Sequence, residues 1–268
     1  MSVNYIYLNK FFSKKNLTEK FSRDRFSAEI FNKEIQNYYD ILRKEYRNEF
    51  FFKNTLFNKL VLGKYSLNTT TAFSEVVVGN SKADFVLINK TFGIVYEIKT
   101  DLDNLERMDN QLNDYSKAFS EIYIVTSEKY YYPVFKTIKE KNPNVGIIVL
   151  TKKETLSVRK KATLDSSKLN HEVLFKLLRK NEYEQILYFK FKCLPNAKPV
   201  QYFRTSLQWF KTIEIREAQK LVFKQLKKRV NPKDLEKIKY FPIPIRWIIY
   251  SSNLNSIELE KIYKKITV

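Results

Sequence analysis

The sequence predicts an α/β (α+β) fold: a mixed β-sheet flanked by helices, with a helical segment before it and a mostly helical, basic region after it. Three observations predict this. Short runs rich in β-branched and aromatic residues lie between positions 74 and 99, separated by turn residues. Apolar runs at 121–126 and 145–150 are interleaved with helical periodicity, the pattern of strands covered on their faces. Both flanks carry apolar residues at three- and four-residue spacing.

The elements follow in order. From Ala28 to Leu62, Ile30, Ile35, Tyr38, Ile41, Leu42, Tyr46, Phe50 and Phe51 predict one long helix that ends at Leu62-Gly63. Three short strands are expected at Ser74–Val78, Asp84–Ile88 and Ile94–Lys99, turning at Gly79-Asn80-Ser81 and Asn89-Lys90-Thr91, so they form an antiparallel meander. Asp103-Asn104-Leu105-Glu106 has the spacing of a capping box, and Leu105, Met108, Leu112, Tyr115 and Phe119 continue as an apolar stripe. A strand at Glu121–Thr126, a helix at Lys129–Glu140 and a strand at Val145–Leu150 come next. Beyond about 165 the chain reads as helical. Amphipathic segments lie around Leu174, Leu177 and Leu178 and at Thr212–Lys228, a proline-broken connector at Tyr240–Tyr250, and a last helix from Ser256. The expected division is a helical segment at 1–62 packing on the core, a sheet core at 63–160 and a basic helical region at 161–268.

Composition narrows the chemistry. Gly numbers only 4 in 268 residues, which argues against glycine-rich nucleotide loops. Cys193 is the single cysteine and His171 the single histidine, so internal disulfides, zinc clusters, His–His metal pairs and Ser–His triads are excluded or disfavoured. Catalysis, if present, must use carboxylates, Lys, Tyr and Gln. No apolar run approaches the roughly 20 residues of a membrane span. The opening Met1-Ser2-Val3-Asn4-Tyr5 has no signal-peptide core, so a reducing cytoplasm is the expected compartment.

The net charge of +20 is unevenly spread. Residues 1–150 hold 22 Lys and Arg against 18 Asp and Glu, a net of +4, whereas residues 151–268 hold 27 against 11, a net of +16. An excess of this kind attracts polyanions, nucleic acid first, because each neutralised phosphate releases condensed counterions. Lys224, Lys227, Lys228, Arg229 and Lys233 are the candidate phosphate contacts. Trp209, Phe210, Tyr240 and Trp247 are read as core in preference to base-stacking residues.

The chemistry centres on Asp84 and Glu97-Ile98-Lys99. Side chains alternate along a strand, so Glu97 and Lys99 share a face. Two charges on one face of an apolar strand are costly to bury unless partnered. A divalent cation shared with Asp84 on the neighbouring strand would offset that cost. Carboxylate oxygens with the Ile98 carbonyl suit Mg²⁺ or Mn²⁺, and Lys99 is placed to handle an attacking water.

These residues and their order resemble the PD-(D/E)XK nuclease superfamily, and more closely a poorly characterised bacterial and phage family assigned to it. The resemblance is carried by Gly79-Asn80-Ser81-Lys82-Ala83-Asp84, Tyr96-Glu97-Ile98-Lys99-Thr100-Asp101, Asp103-Asn104-Leu105-Glu106-Arg107 and Gln111-Leu112-Asn113-Asp114-Tyr115. It reaches more loosely to Leu177-Leu178-Arg179-Lys180-Asn181-Glu182. Ala83 stands where the superfamily's motif has Pro. The resemblance implies a restriction-endonuclease-like core and a Mg²⁺-dependent deoxyribonuclease with Asp84, Glu97 and Lys99 catalytic. Gln111 and Tyr115 resemble the Gln-x3-Tyr motif of RecB-like and Cas4-like nucleases, implying contact with the DNA backbone, with Arg107 one turn earlier. Glu49 and Glu75 are implied as additional metal ligands. The alternative reading is a non-catalytic DNA-binding or protein-interaction component of a phage, mobile-element or defence system that keeps the fold.

Overall fold

The computed structural model describes residues 5–22, 27–89, 91–230 and 236–267; Met1 to Asn4, Lys90, Pro232 and Lys233 lie outside these. Six strands form one mixed sheet in sequential order: β1 (Thr70–Val78), β2 (Ser81–Asn89), β3 (Gly93–Lys99), β4 (Glu121–Ser127), β5 (Gly146–Leu150) and β6 (Leu156–Lys160). β1, β2 and β3 are antiparallel neighbours, as the two short turns require. β3–β4 and β4–β5 are parallel, which demands crossovers. Helix α5 (Met108–Ser116) and helix α6 (Tyr131–Ile138) supply them. β6 closes the sheet antiparallel to β5. Its polar, half-exposed sequence carries no strand signal, and it is absent from the predicted elements.

The chain divides into two units, residues 69–229 and residues 1–68 with 230–268. This is not the expected division at 63 and 161. The sheet shares its unit with helices α7 (His171–Lys176), α8 (Lys180–Phe191), α9 (Pro199–Lys211) and α10 (Ile215–Lys227). The physical reason is a single apolar cluster. Val86, Ile88, Val95, Ile122, Ile124 and Ile147 on one sheet face pack with residues of α5, α6, α7 and α10. Gly93 fits this packing, because a Cβ there would lie 2.7 Å from the Phe223 ring of α10.

The other unit is helical in its described residues. It comprises α1 (Tyr5–Phe11), α2 (Lys14–Ser22), α3 (Ala28–Lys44), α4 (Glu49–Leu56, running into a π-helical stretch at Phe57–Lys64), α11 (Arg246–Ser251) and α12 (Ser256–Thr267). The single helix expected over 28–62 is therefore two. The apolar spacing stays in phase across the break, but Asn48 caps a new start by accepting from the Phe51 amide at 3.0 Å. Fully buried Asn54 holds the unit together, donating to Tyr39 Oη and the Ile243 carbonyl and accepting from the Trp247 amide. The Tyr240–Tyr250 connector holds a 3-10 turn at Ile243–Ile245 that leads into α11 and no strand, consistent with its reading as something other than a strand. No described helix is long and apolar enough to cross a membrane.

Candidate functional site

Glu97 and Lys99 project from β3 on the face that α5 covers. Lys99 Nζ donates to Glu97 Oε1 at 2.9 Å and to Gln111 Oε1 at 2.8 Å. Tyr115 Oη donates its single proton to Glu97 Oε2 at 2.8 Å and lies 2.9 Å from the Lys82 carbonyl. Glu97 is 1% exposed and Lys99 7%. The charges that the strand pattern predicted on one face thus lie under a helix, satisfied by each other and by the two polar residues of the Gln-x3-Tyr pattern. Tyr115 both packs and bonds. Burial, and then the Glu97 carboxylate, hold its hydroxyl well above the usual tyrosine range, so it remains a donor across physiological pH. From the next strand, Thr126 Oγ1 donates to the Lys99 carbonyl at 2.7 Å and fixes the end of β3.

Asp84 lies beside Glu97 in register, one rung beyond the Phe85–Tyr96 pair. Its Oδ2 accepts from the Ile98 amide at 2.8 Å. Glu75 lies across from Asp84 on β1, between the Ser74–Phe85 and Val76–Ala83 pairs. Carboxylate oxygens of Glu75 and Asp84 come within 4.8 Å of each other. Glu75 is mid-strand, since β1 begins four residues before the predicted start, and its φ is +56°. A non-glycine residue there carries strain of order 1–3 kcal/mol. The kink resets side-chain alternation: Phe73 and Val76, three residues apart, both pack on the same core. Glu75 also pairs with Lys82 at 3.4 Å. Glu49 belongs to the helical unit, where it opens α4 and pairs with Lys53.

The predicted capping box does not form. Asp103 instead accepts from the Thr100 amide and hydroxyl at 2.6 and 2.7 Å, a local turn that competes with helix initiation, and α5 begins at Met108. Arg107 is exposed immediately before it, and its carbonyl accepts from the Gln111 amide.

Asp114 is a residue the sequence reading passed over. It accepts from the Asn80 amide (3.1 Å), Ser81 Oγ (2.8 Å) and Lys117 Nζ (2.8 Å), pinning the β1–β2 turn to α5. Gly79 is required beneath it: its φ is +63°, and a Cβ would lie 2.8 Å from Asp114 Oδ1. The available signal was spacing, three residues after Gln111 and four before buried Ala118. Burial alone would raise the Asp114 carboxyl, but the bonds from Lys117, Ser81 and Asn80 outweigh it and leave it below the usual range. Its stabilisation is therefore complete above the unfolded carboxyl value of about 3.9 and is lost as pH falls through the lower folded value. In urea denaturation, Asp114→Ala is expected to cost about 1–3 kcal/mol at pH 7, with the gap to wild type shrinking in acid below that range.

The predicted basic contacts divide. Lys228 is exposed and donates to Gln185, and Lys227 is half-buried near the end of α10. Arg229 is turned inward: its Nε and Nη2 donate to both Glu182 oxygens at 2.6 Å, and Nη2 to the Leu177 carbonyl at 2.7 Å. Burial would raise the Glu182 carboxyl, but the Arg229 guanidinium and the Arg179 amide bring it below its usual range. Arg229, part-buried, thus ties α10 to α8. Arg229→Ala is expected to lower stability by about 1–3 kcal/mol, since it leaves a largely buried carboxylate without its donor. Unchanged stability with weaker polyanion binding would instead make it a surface contact. Phe210 and Trp247 are core, as read, and Tyr240 is exposed. His171 begins α7, with its ring 2.7 Å from the Ile213 carbonyl.

Protein cII of Enterobacteria phage P4 is 31% identical over 129 residues, 46% of this chain and 47% of that protein. The match spans about half the length of that relative. No solved structure matches the chain. The family described as Bacteriophage P4 protein cII matches residues 42–240. That span contains the β-sheet and every candidate site residue from Glu49 to Arg229, and the chain belongs to the bacteriophage P4 protein cII family.

Proposed function

We propose that this protein is a metal-dependent nuclease of the PD-(D/E)XK type that hydrolyses DNA phosphodiester bonds. The observation that supports the reading is the convergence of Asp84, Glu97, Lys99 and Gln111 from two strands and a helix within an otherwise apolar core. Asp84, Glu97 and the Ile98 carbonyl form a set of hard oxygen donors, with Glu75 at its edge, and this set fits Mg²⁺ or Mn²⁺. When bound, such an ion supplies Lewis acidity toward the phosphate and a more acidic water. The chain's own residues do the rest. Tyr115 and Lys99 each hold one oxygen of Glu97 and so fix its carboxylate plane. Gln111 fixes the Lys99 ammonium from the helix side, where it can orient a water or meet a phosphate oxygen. The exposed cations of α8 and α10 draw a polyanion to the same unit.

A second reading is favoured by one observation: both Glu97 oxygens already have protein donors, under a helix that leaves the residue 1% exposed. On that reading the protein is a non-catalytic nucleic-acid-binding or protein-interaction component of a phage, with Lys99 and Glu97 as a structural pair. The test is incubation with linear, circular and single-stranded DNA in Mg²⁺, Mn²⁺ or EDTA. Products that require metal and vanish in a folded Asp84→Asn protein, whose oxygen can still accept from the Ile98 amide, support the nuclease. No products from any substrate with either metal, together with retained DNA binding, would overturn it in favour of the second reading.

A further inference from the structure

Helices α8 and α10 leave a groove of about 570 Å³ on the sheet-bearing unit, away from the residues assigned above to hydrolysis. Its composition is unusual for a surface. Tyr188 and Phe189 are 59% and 56% exposed. Both line the groove with Lys192, Lys224 and Lys228. The Lys192 and Lys224 ammoniums lie 5.5 and 5.7 Å from the Phe189 ring centroid. Lys192 reaches this place from a left-handed backbone (φ +61°), the helix-ending position that glycine ordinarily takes. A lysine there is less comfortable than glycine, and it presents a cation at the mouth of the groove. The acid on the wall, Glu184, pairs loosely with Lys180 at 3.9 Å.

We infer that the groove between α8 and α10 binds single-stranded nucleic acid, Phe189 and Tyr188 stacking on bases and Lys192, Lys224 and Lys228 meeting the flanking phosphates. Exposed rings beside flexible cations are the elements of a stacking platform for a polyanion. A duplex keeps its base faces inside the stack and has no use for the rings. A protein partner fits poorly, because the cores of protein interfaces are depleted in lysine. The inference does not depend on hydrolysis at Asp84 and Glu97.

The experiment is fluorescence anisotropy of the full chain with a labelled oligothymidylate of roughly 12 nucleotides, within the site sizes of such platforms. EDTA is present throughout, so cleavage cannot contribute and failure here is distinct from failure of the nuclease reading. Phe189→Ala is expected to weaken binding between about 5- and 150-fold, the range of one lost stacking contact, while Phe189→Trp retains it. Binding of a duplex of the same length changes less than about twofold in either variant, since the rings do not touch it. Lys224→Gln reduces the slope of log K against log salt by about 0.7, the value for one phosphate contact to a single strand. Phe189 is exposed, so neither variant endangers the fold. Unchanged affinity in Phe189→Ala, an equal loss for duplex and single strand, or equally tight binding of a polyglutamate peptide would each overturn the inference.

Discussion

Lys99→Met is expected to destabilise the protein by about 3–5 kcal/mol, the loss that follows when one partner of a buried ion pair is removed. Glu97 would remain almost fully buried, with the Tyr115 hydroxyl still donating to it. The same substitution frees Gln111 Oε1, which now accepts from Lys99. A second change, Glu97→Gln, should therefore recover more than half of the loss: the new amide can accept from Tyr115 and donate to Gln111. Chemical denaturation of wild type, both singles and the double variant gives the coupling directly. A small effect of Lys99→Met alone would mean that Glu97 is reached by solvent or a cation. That outcome would weaken the structural-pair reading and strengthen the metal-site one.

Asp84→Asn is the substitution with the largest expected effect on activity. Its oxygen can still accept from the Ile98 amide, so the local strand geometry survives. What disappears is a negative oxygen facing Glu97 and Glu75. Under the nuclease proposal, metal-dependent cleavage should fall on the order of 100-fold or more, as when one element of electrostatic stabilisation is removed from a site. The thermal midpoint should stay near wild type, which separates this variant from Lys99→Ala, where folding and chemistry fail together. Cleavage at wild-type rate by a folded Asp84→Asn protein would remove Asp84 from the mechanism.

Much of the fold was legible because period and burial coincide. β2, β4 and β5 are apolar runs of strand length, and α5 and α10 keep one stripe each. Where local hydrogen bonds compete, periodicity misleads. Thr100 takes Asp103 away from the helix it was expected to cap, and Asn48 starts a new helix where the apolar rhythm runs on unbroken. β6 was illegible because an exposed edge strand has little to bury. The pairing of Glu97 and Lys99 was legible from strand alternation, whereas Gln111 and Tyr115 beside them came from the resemblance to the Gln-x3-Tyr pattern, since spacing alone put only Tyr115 in an apolar stripe. Asp114 was not legible, because the partners of a buried acid lie 33 or 34 residues away in a turn. The ion pair of Arg229 with Glu182 was illegible for the opposite reason: sequence counts a charge without showing which way it points.

The division of the chain has a consequence for its synthesis. Along the sequence, residues 69–229 form one continuous unit, and the two stretches before and after it assemble the other. In the flanking unit, Asn54 takes its partners from Ile243 and Trp247, and Asn32 donates to the carbonyl of Ile266. As the polypeptide leaves the ribosome, the sheet can complete itself once α10 has emerged, because domains fold as units during translation. The early helices α1 to α4 must wait for α11 and α12. During that interval Phe57 has yet to acquire the Trp247 and Tyr250 rings that pack on it, so helices α1 to α4 are the part of the nascent chain most open to chaperones and proteases.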